Sequence, residues 1–246
     1  MTALIQASRL RAGYGEATTL WDVDIEVHPG EVVALLGPNG AGKTTTLLTL
    51  AGELKPTAGE VLWNGAVSRS PLERLARDGL AYVSEERSVF SRLTVTQNLK
   101  LGRDCDVDKA LTLFPPLAEI TQRRGGLLSG GEQQMLTLAR ALSRPTRLLM
   151  ADEMSLGLAP KTVGILLNAV RRAADGGMGA LVVEQHVHRV LKIADRVYVL
   201  RQGRVQFAGT ADDARAHIDE IQQHYLGATR SPIEATNSAL GGQHHD

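Results

Sequence analysis

With 246 residues, 43% of them hydrophobic, the chain is long enough to bury the core of one sizeable α/β domain, which excludes global disorder. Lys plus Arg and Asp plus Glu each number 27, so the formal net charge is zero and there is no broad electrostatic footprint for nucleic acid. A single cysteine, Cys105, excludes an intramolecular disulfide, and no stretch of about 18 apolar residues predicts a membrane span.

The first segment reads as strands. Val23, Ile25 and Val27 alternate with Asp24, Glu26 and His28, which puts the apolar side chains on one face. Pro29-Gly30 predicts a turn, and Val32 to Leu36 is a continuous apolar run that suits a strand buried on both faces. A glycine-rich loop follows, then a predicted helix over Thr44 to Leu50. Residues 86–146 read as mostly helical, with capping-box spacing at Thr94/Gln97 and Ser129/Glu132 and an interruption at Pro115-Pro116. Leu148 to Ala151 and Ala180 to Val183 are further apolar strands. Val197 to Leu200 and Arg204 to Phe207 flank Arg201-Gln202-Gly203 as a predicted hairpin. Residues 230–246 are small and polar and are expected to be disordered.

Three strings carry chemistry. Gly37-Pro38-Asn39-Gly40-Ala41-Gly42-Lys43-Thr44 fits the phosphate-loop pattern, between an apolar strand and a helix. Free backbone N–H groups at a helix start bind anions, Lys43 brings positive charge to the outer phosphates, and Thr44 offers a hydroxyl to Mg²⁺. Leu148-Leu149-Met150-Ala151-Asp152-Glu153 is a buried strand ending in two acids. At the carboxyl edge of a sheet, Asp152 suits a water-bridged Mg²⁺ and Glu153 suits the polarisation of attacking water, although many strands also end in an acid that caps the next element. Leu128-Ser129-Gly130-Gly131-Glu132-Gln133-Gln134 combines a capping serine with two glycines, which exposes N–H groups at the positive end of a helix dipole.

In this order and spacing the three strings resemble the Walker A, signature and Walker B motifs of ABC ATPases, over about residues 4–227. The resemblance implies a P-loop NTPase (RecA-like) α/β core with an antiparallel β edge and an inserted helical subdomain. It implies one domain over 1–229, with the core at about 1–85 and 147–229 and the helical part at about 86–146. It extends the nucleotide site to Thr45 and gives Tyr14 as the ring that stacks on adenine. It gives His186 as a γ-phosphate contact, with His188 two residues on, and Ser155 to Pro160 as a segment crossing a dimer interface. Ser129, Gly130, Gly131 and Glu132 are then expected to act in trans, on ATP held by a second ABC ATPase subunit, identical or similar. Glu85 stands where the family has a glutamine and could still ligate Mg²⁺. Ser84 and Met154 stand where prolines are usual, the latter leaving more backbone freedom after Glu153.

Glu85 to Val95, and Ser155 to Pro160, are similar to the ATP-binding subunits of branched-chain amino acid importers. Related importers for urea or short amides, and ATPases of exporters or lipid transporters, share much of this pattern. A soluble ABC ATPase acting on nucleic acid would carry a second cassette or a long coiled-coil insertion. The resemblance implies ATP and Mg²⁺ as cofactors and polytopic membrane permeases as partners. It also implies a substrate-binding protein at one remove, and a peripheral place on the cytoplasmic face of the membrane. Phe90, Leu93 and Val95 are either the contact for a membrane subunit or a small core beneath the helices.

Overall fold

The computed structural model describes residues 2–101, 104–184 and 187–222. The chain runs β1 (Ile5–Tyr14), β2 (Ala17–Val27), β3 (Val32–Leu36), α1 (Lys43–Leu50), β4 (Ala58–Trp63), β5 (Ala66–Val67), α2 (Leu72–Arg77) and β6 (Leu80–Val83). Next come α3 (Val95–Lys100), α4 (Val107–Leu113), α5 (Pro115–Ala118), a 3-10 turn at Gly125–Leu127, and α6 (Gly130–Leu142). It ends with β7 (Leu148–Asp152), α7 (Pro160–Asp175), β8 (Gly179–Val183), α8 (Val187–Val190), β9 (Arg196–Arg201), β10 (Arg204–Thr210), α9 (Ala211–Ala216) and α10 (Ile218–Glu220). The polar tail lies outside the described residues.

Two sheets form. An antiparallel sheet has the order β2-β1-β4-β5, and a second has the order β10-β9-β3-β8-β7-β6. In the second, β9, β3, β8, β7 and β6 pair in parallel and β10 adds an antiparallel edge through the predicted hairpin. The apolar runs are continuous because the parallel strands are covered on both faces. Val32, Ala34 and Leu36 pack with Leu149, Ala151, Val182 and the helices α6 and α7. Val33 and Leu35 face the other way, with Met150, Leu181, α1 and the antiparallel sheet. Each fully buried Val or Leu contributes roughly 1.5–3 kcal/mol. The alternation in β2 works as read: Val23, Ile25 and Val27 are all buried.

Helices α3 to α6 are inserted between β6 and β7. Both capping boxes close. Thr94 takes the Gln97 N–H while the Gln97 side chain takes that of Thr94, and Ser129 and Glu132 do the same. Pro115-Pro116 separates α4 from α5, since Pro115 opens a new helix after Phe114. The loop before α3 is tied by Asn98, which the sequence reading passed over. Its amide donates to the Phe90, Leu93 and Thr94 carbonyls and accepts from the Phe90 N–H. Val95 is fully buried in the core, so it belongs to the packing of α3 and not to a surface. Phe90 is 55% exposed and lies under the Arg140 guanidinium.

Candidate nucleotide site

The loop between β3 and α1 is curled by its own side chain. Lys43 is 5% exposed, and its ammonium donates to the Gly37 and Pro38 carbonyls at 2.9 and 3.1 Å. It also lies 3.5 Å from a Glu153 carboxylate oxygen. Gly42 precedes α1 with φ at 105°, and a Cβ there would come within 2.7 Å of the Leu20 side chain, so only glycine fits. Helix α1 therefore starts with its N–H groups facing a cleft of about 480 Å³. That cleft is lined by Tyr14, Thr19, Asn39, Gly40, Gly42, Lys43, Thr44, Thr45, Glu85, Glu153 and Leu156, residues that span most of the chain.

Tyr14 stands at the end of β1, 54% exposed in the lining of the cleft, and an exposed aromatic ring is suited to stacking on a flat ligand. Glu85, exposed, follows β6. Asp152, the last residue of β7, is buried, and its Oδ1 has no hydrogen-bond partner among the described residues. Burial pushes the Asp152 carboxyl above its ordinary value, a hydrogen bond from Thr44 opposes this, and Glu153 and Glu85 add to it by repulsion. A sealed carboxylate oxygen with no donor, beside a threonine hydroxyl and a second carboxylate, is a donor set for a hard cation. No cluster of three or more His, Cys, Asp or Glu forms among the described residues. Mg²⁺ takes one or two carboxylates and fills its shell with phosphate and water.

Glu153 has φ of 44°, a left-handed conformation uncommon for a non-glycine residue. Its N–H is tied to the Val183 carbonyl and its carbonyl to the Leu156 N–H. The backbone freedom expected of Met154 is taken up by its side chain, which is 2% exposed and packed in the core.

The signature residues Ser129, Gly130, Gly131 and Glu132 do not line this cleft. They open α6, where Glu132 is held by the capping box and by Arg123 at 3.1 Å. Neighbours within the chain crowd the glycine pair: a Cβ on Gly130 would meet the mobile end of the Arg87 side chain at 2.8 Å, which can move aside, and one on Gly131 would meet the Thr162 side chain at 2.9 Å. His186 lies outside the described residues.

Sequence reasoning missed Glu184 and its bond to Ser155. Glu184 follows β8 and is 3% exposed. Its Oε2 accepts from the Ser155 hydroxyl at 2.5 Å, while Oε1 has no partner among the described residues. Burial pushes its carboxyl up to about 7, opposed by the Ser155 bonds and helped by repulsion from Glu153. The missed signal was an acid ending an apolar strand, the same pattern that pointed to Asp152.

The family model for ABC transporters matches residues 20–155. The branched-chain amino acid transport ATP-binding protein BraG of Pseudomonas aeruginosa is 39% identical over 91% of this chain and all of its own length. The corresponding protein LivF of Archaeoglobus fulgidus is 38% identical over 87% of this chain and 95% of its own. The lipopolysaccharide export ATP-binding protein LptB of Acidithiobacillus ferridurans is 33% identical over 92% and 98%. Among solved structures, a nucleotide-free ATP-binding cassette superposes with a TM-score of 0.79 at 24% identity, covering 89% of this chain and 96% of its own. A cassette in its ADP conformation gives 0.81 at 23%, covering 91% and 97%. The chain belongs to the ABC transporter ATP-binding family. It is an ATP-hydrolysing subunit of such a transporter, with the cassette fold. Among the described residues no helix is long and apolar enough to cross a membrane.

Proposed function

We propose that the chain is the ATP-hydrolysing subunit of an importer for branched-chain or other hydrophobic amino acids. It is a single cassette over 1–229, with a core at about 1–85 and 147–229 and a helical lobe at about 86–146. The observation that carries the chemistry is the cleft in which Tyr14, the phosphate loop, Glu85 and Glu153 meet. The substrate class rests on two relatives, 39% and 38% identical, whose names carry it.

In this reading Tyr14 stacks on adenine, and the loop from Gly37 to Thr45 cradles the phosphates, with Lys43 released from the Gly37 and Pro38 carbonyls to the outer ones. Thr44, Asp152 and Glu85 would hold Mg²⁺, which neutralises phosphate charge when bound. Glu153 orients the attacking water and receives its proton. Ser129, Gly130, Gly131 and Glu132 do not reach the cleft of their own chain, which supports a head-to-tail pair in which they close over the nucleotide held by a second cassette. A post-hydrolysis cassette bound to ADP and Pi, TM-score 0.73, has the same fold and is dimeric. ATP gripped by two subunits favours closure, and hydrolysis releases it. The exposed Phe90 is the contact for a permease on the cytoplasmic face, with a substrate-binding protein acting through the permease.

The test is affinity purification of the chain from mildly solubilised membranes, with mass spectrometry of what accompanies it. Recovery of polytopic permeases, a second cassette and an amino-acid-binding protein is the expected result. Lipopolysaccharide-export components in their place would select the second reading, which the 33% identical relative favours. Recovery of ribosomes or DNA-repair proteins with no membrane partner would overturn transport.

A further inference from the structure

The turn from Glu153 to Leu156 has to hold a non-glycine residue at positive φ, a conformation that costs free energy and persists only where the surroundings over-determine it. Two of the restraints are backbone hydrogen bonds, to Val183 and within the turn itself. Met154 is a third, anchored in the core. The fourth is a side-chain bond across to the next strand, Ser155 to Glu184, sealed from water at both ends, with residues 2% and 3% exposed. A carboxylate buried for shape alone would be a costly choice, because an apolar side chain would fill the space without leaving an oxygen unpaired. Its cost is explained if the bond restrains something that must not move.

What the turn carries is the Glu153 side chain, which reaches back to within 3.5 Å of the Lys43 ammonium in the phosphate loop. Sliding or untwisting of Ser155 would swing that carboxylate out of the cleft. We infer that Glu184 is a positioning residue for hydrolysis: through Ser155 it pins the turn that holds Glu153 against the phosphate loop. The inference rests on the proposed role of Glu153 as the group that orients water. Glu184 is not among the residues that line the cleft, and it acts by keeping another side chain in place. Misplacement of a reacting group by about 1 Å costs on the order of a hundredfold in rate.

The experiment measures steady-state ATP hydrolysis by the full chain, purified with its membrane partners, for Glu184→Ala, Ser155→Ala and Glu184→Gln. The two alanine variants are expected to lose about tenfold or more in kcat with KM for ATP changed by less than about twofold, the signature of a defect confined to the chemical step. Glu184→Gln keeps an oxygen that accepts from the Ser155 hydroxyl and is expected to recover most of the rate. Alanine variants with wild-type kcat would overturn the inference, as would a glutamine variant as slow as the alanine one. Should Glu184→Ala fail to fold, Ser155→Ala and Glu184→Gln decide the matter alone. A wild-type assembly that binds no ATP would overturn the proposed function as well. An active wild type with unaffected variants would overturn the positioning role only.

Discussion

Replacing Glu184 by glutamine removes one titratable proton from a site sealed from water, and the size of the effect follows from the structure. Burial raises the carboxyl from 4.5 to about 7, with repulsion from Glu153 adding to the shift and Ser155 and Arg189 opposing it. Between those values the folded state holds a proton that the unfolded chain has lost. Stability linked to Glu184 is therefore full below about pH 4.5 and is lost as pH rises through about 7. At about 1.4 kcal/mol per pH unit, the window corresponds to about 3 kcal/mol, or roughly 6–12 °C in Tm for a chain of this size. Burial also raises the Asp152 carboxyl, but Asp152 and the other acids are common to both proteins and cancel in the difference. Urea unfolding of wild type and Glu184→Gln at several pH values between about 4.5 and 8 gives that difference directly. Wild type should gain on the variant by about 3 kcal/mol as pH falls across the window. A difference that is flat with pH, or that grows toward alkaline pH, would refute the reasoning, since the carboxyl would then be hydrated or already ionised in the folded state.

Lys43→Ala should abolish ATP binding measured by calorimetry, because the outer phosphates lose their only buried cation among the described residues lining the cleft. Glu153→Gln should retain ATP affinity while hydrolysis falls about a hundredfold or more, which single-turnover kinetics would separate from a binding defect. Phe90→Asp should leave ATP hydrolysis in the purified assembly intact and abolish uptake of substrate by reconstituted vesicles. Retained uptake by a folded, assembled variant would remove Phe90 from the coupling surface.

The parallel strands and the phosphate loop were legible because each rests on local chemistry. A strand covered on both faces must be apolar throughout, as Val32 to Leu36 and Leu148 to Ala151 are. A loop that turns back through left-handed angles must carry glycine, as at Gly42. The capping boxes at Thr94 and Ser129 were legible for the same reason, since both partners lie within one helical turn. The short strands β4 and β5 lack such a signature. Ala58, Gly59 and Glu60 are exposed, and β4 is ordered by pairing with β1, about 50 residues earlier in the chain.

The sequence by itself determined which residues bear charge, hydroxyl and backbone donors suited to phosphate, in what order, and on which elements. Only the tertiary structure decided how they meet. It brought Tyr14, Glu85 and Glu153 to one cleft from three separate strand ends, and it sent Val95 into the core while leaving Phe90 outside. It also joined Ser155 to Glu184 across 29 residues. The reason is range. Periodicity, turns and caps are set by neighbours within a few positions. The cost of burying a carboxylate, or of holding a backbone at positive φ, is offset by groups far along the chain that folding brings within hydrogen-bond reach.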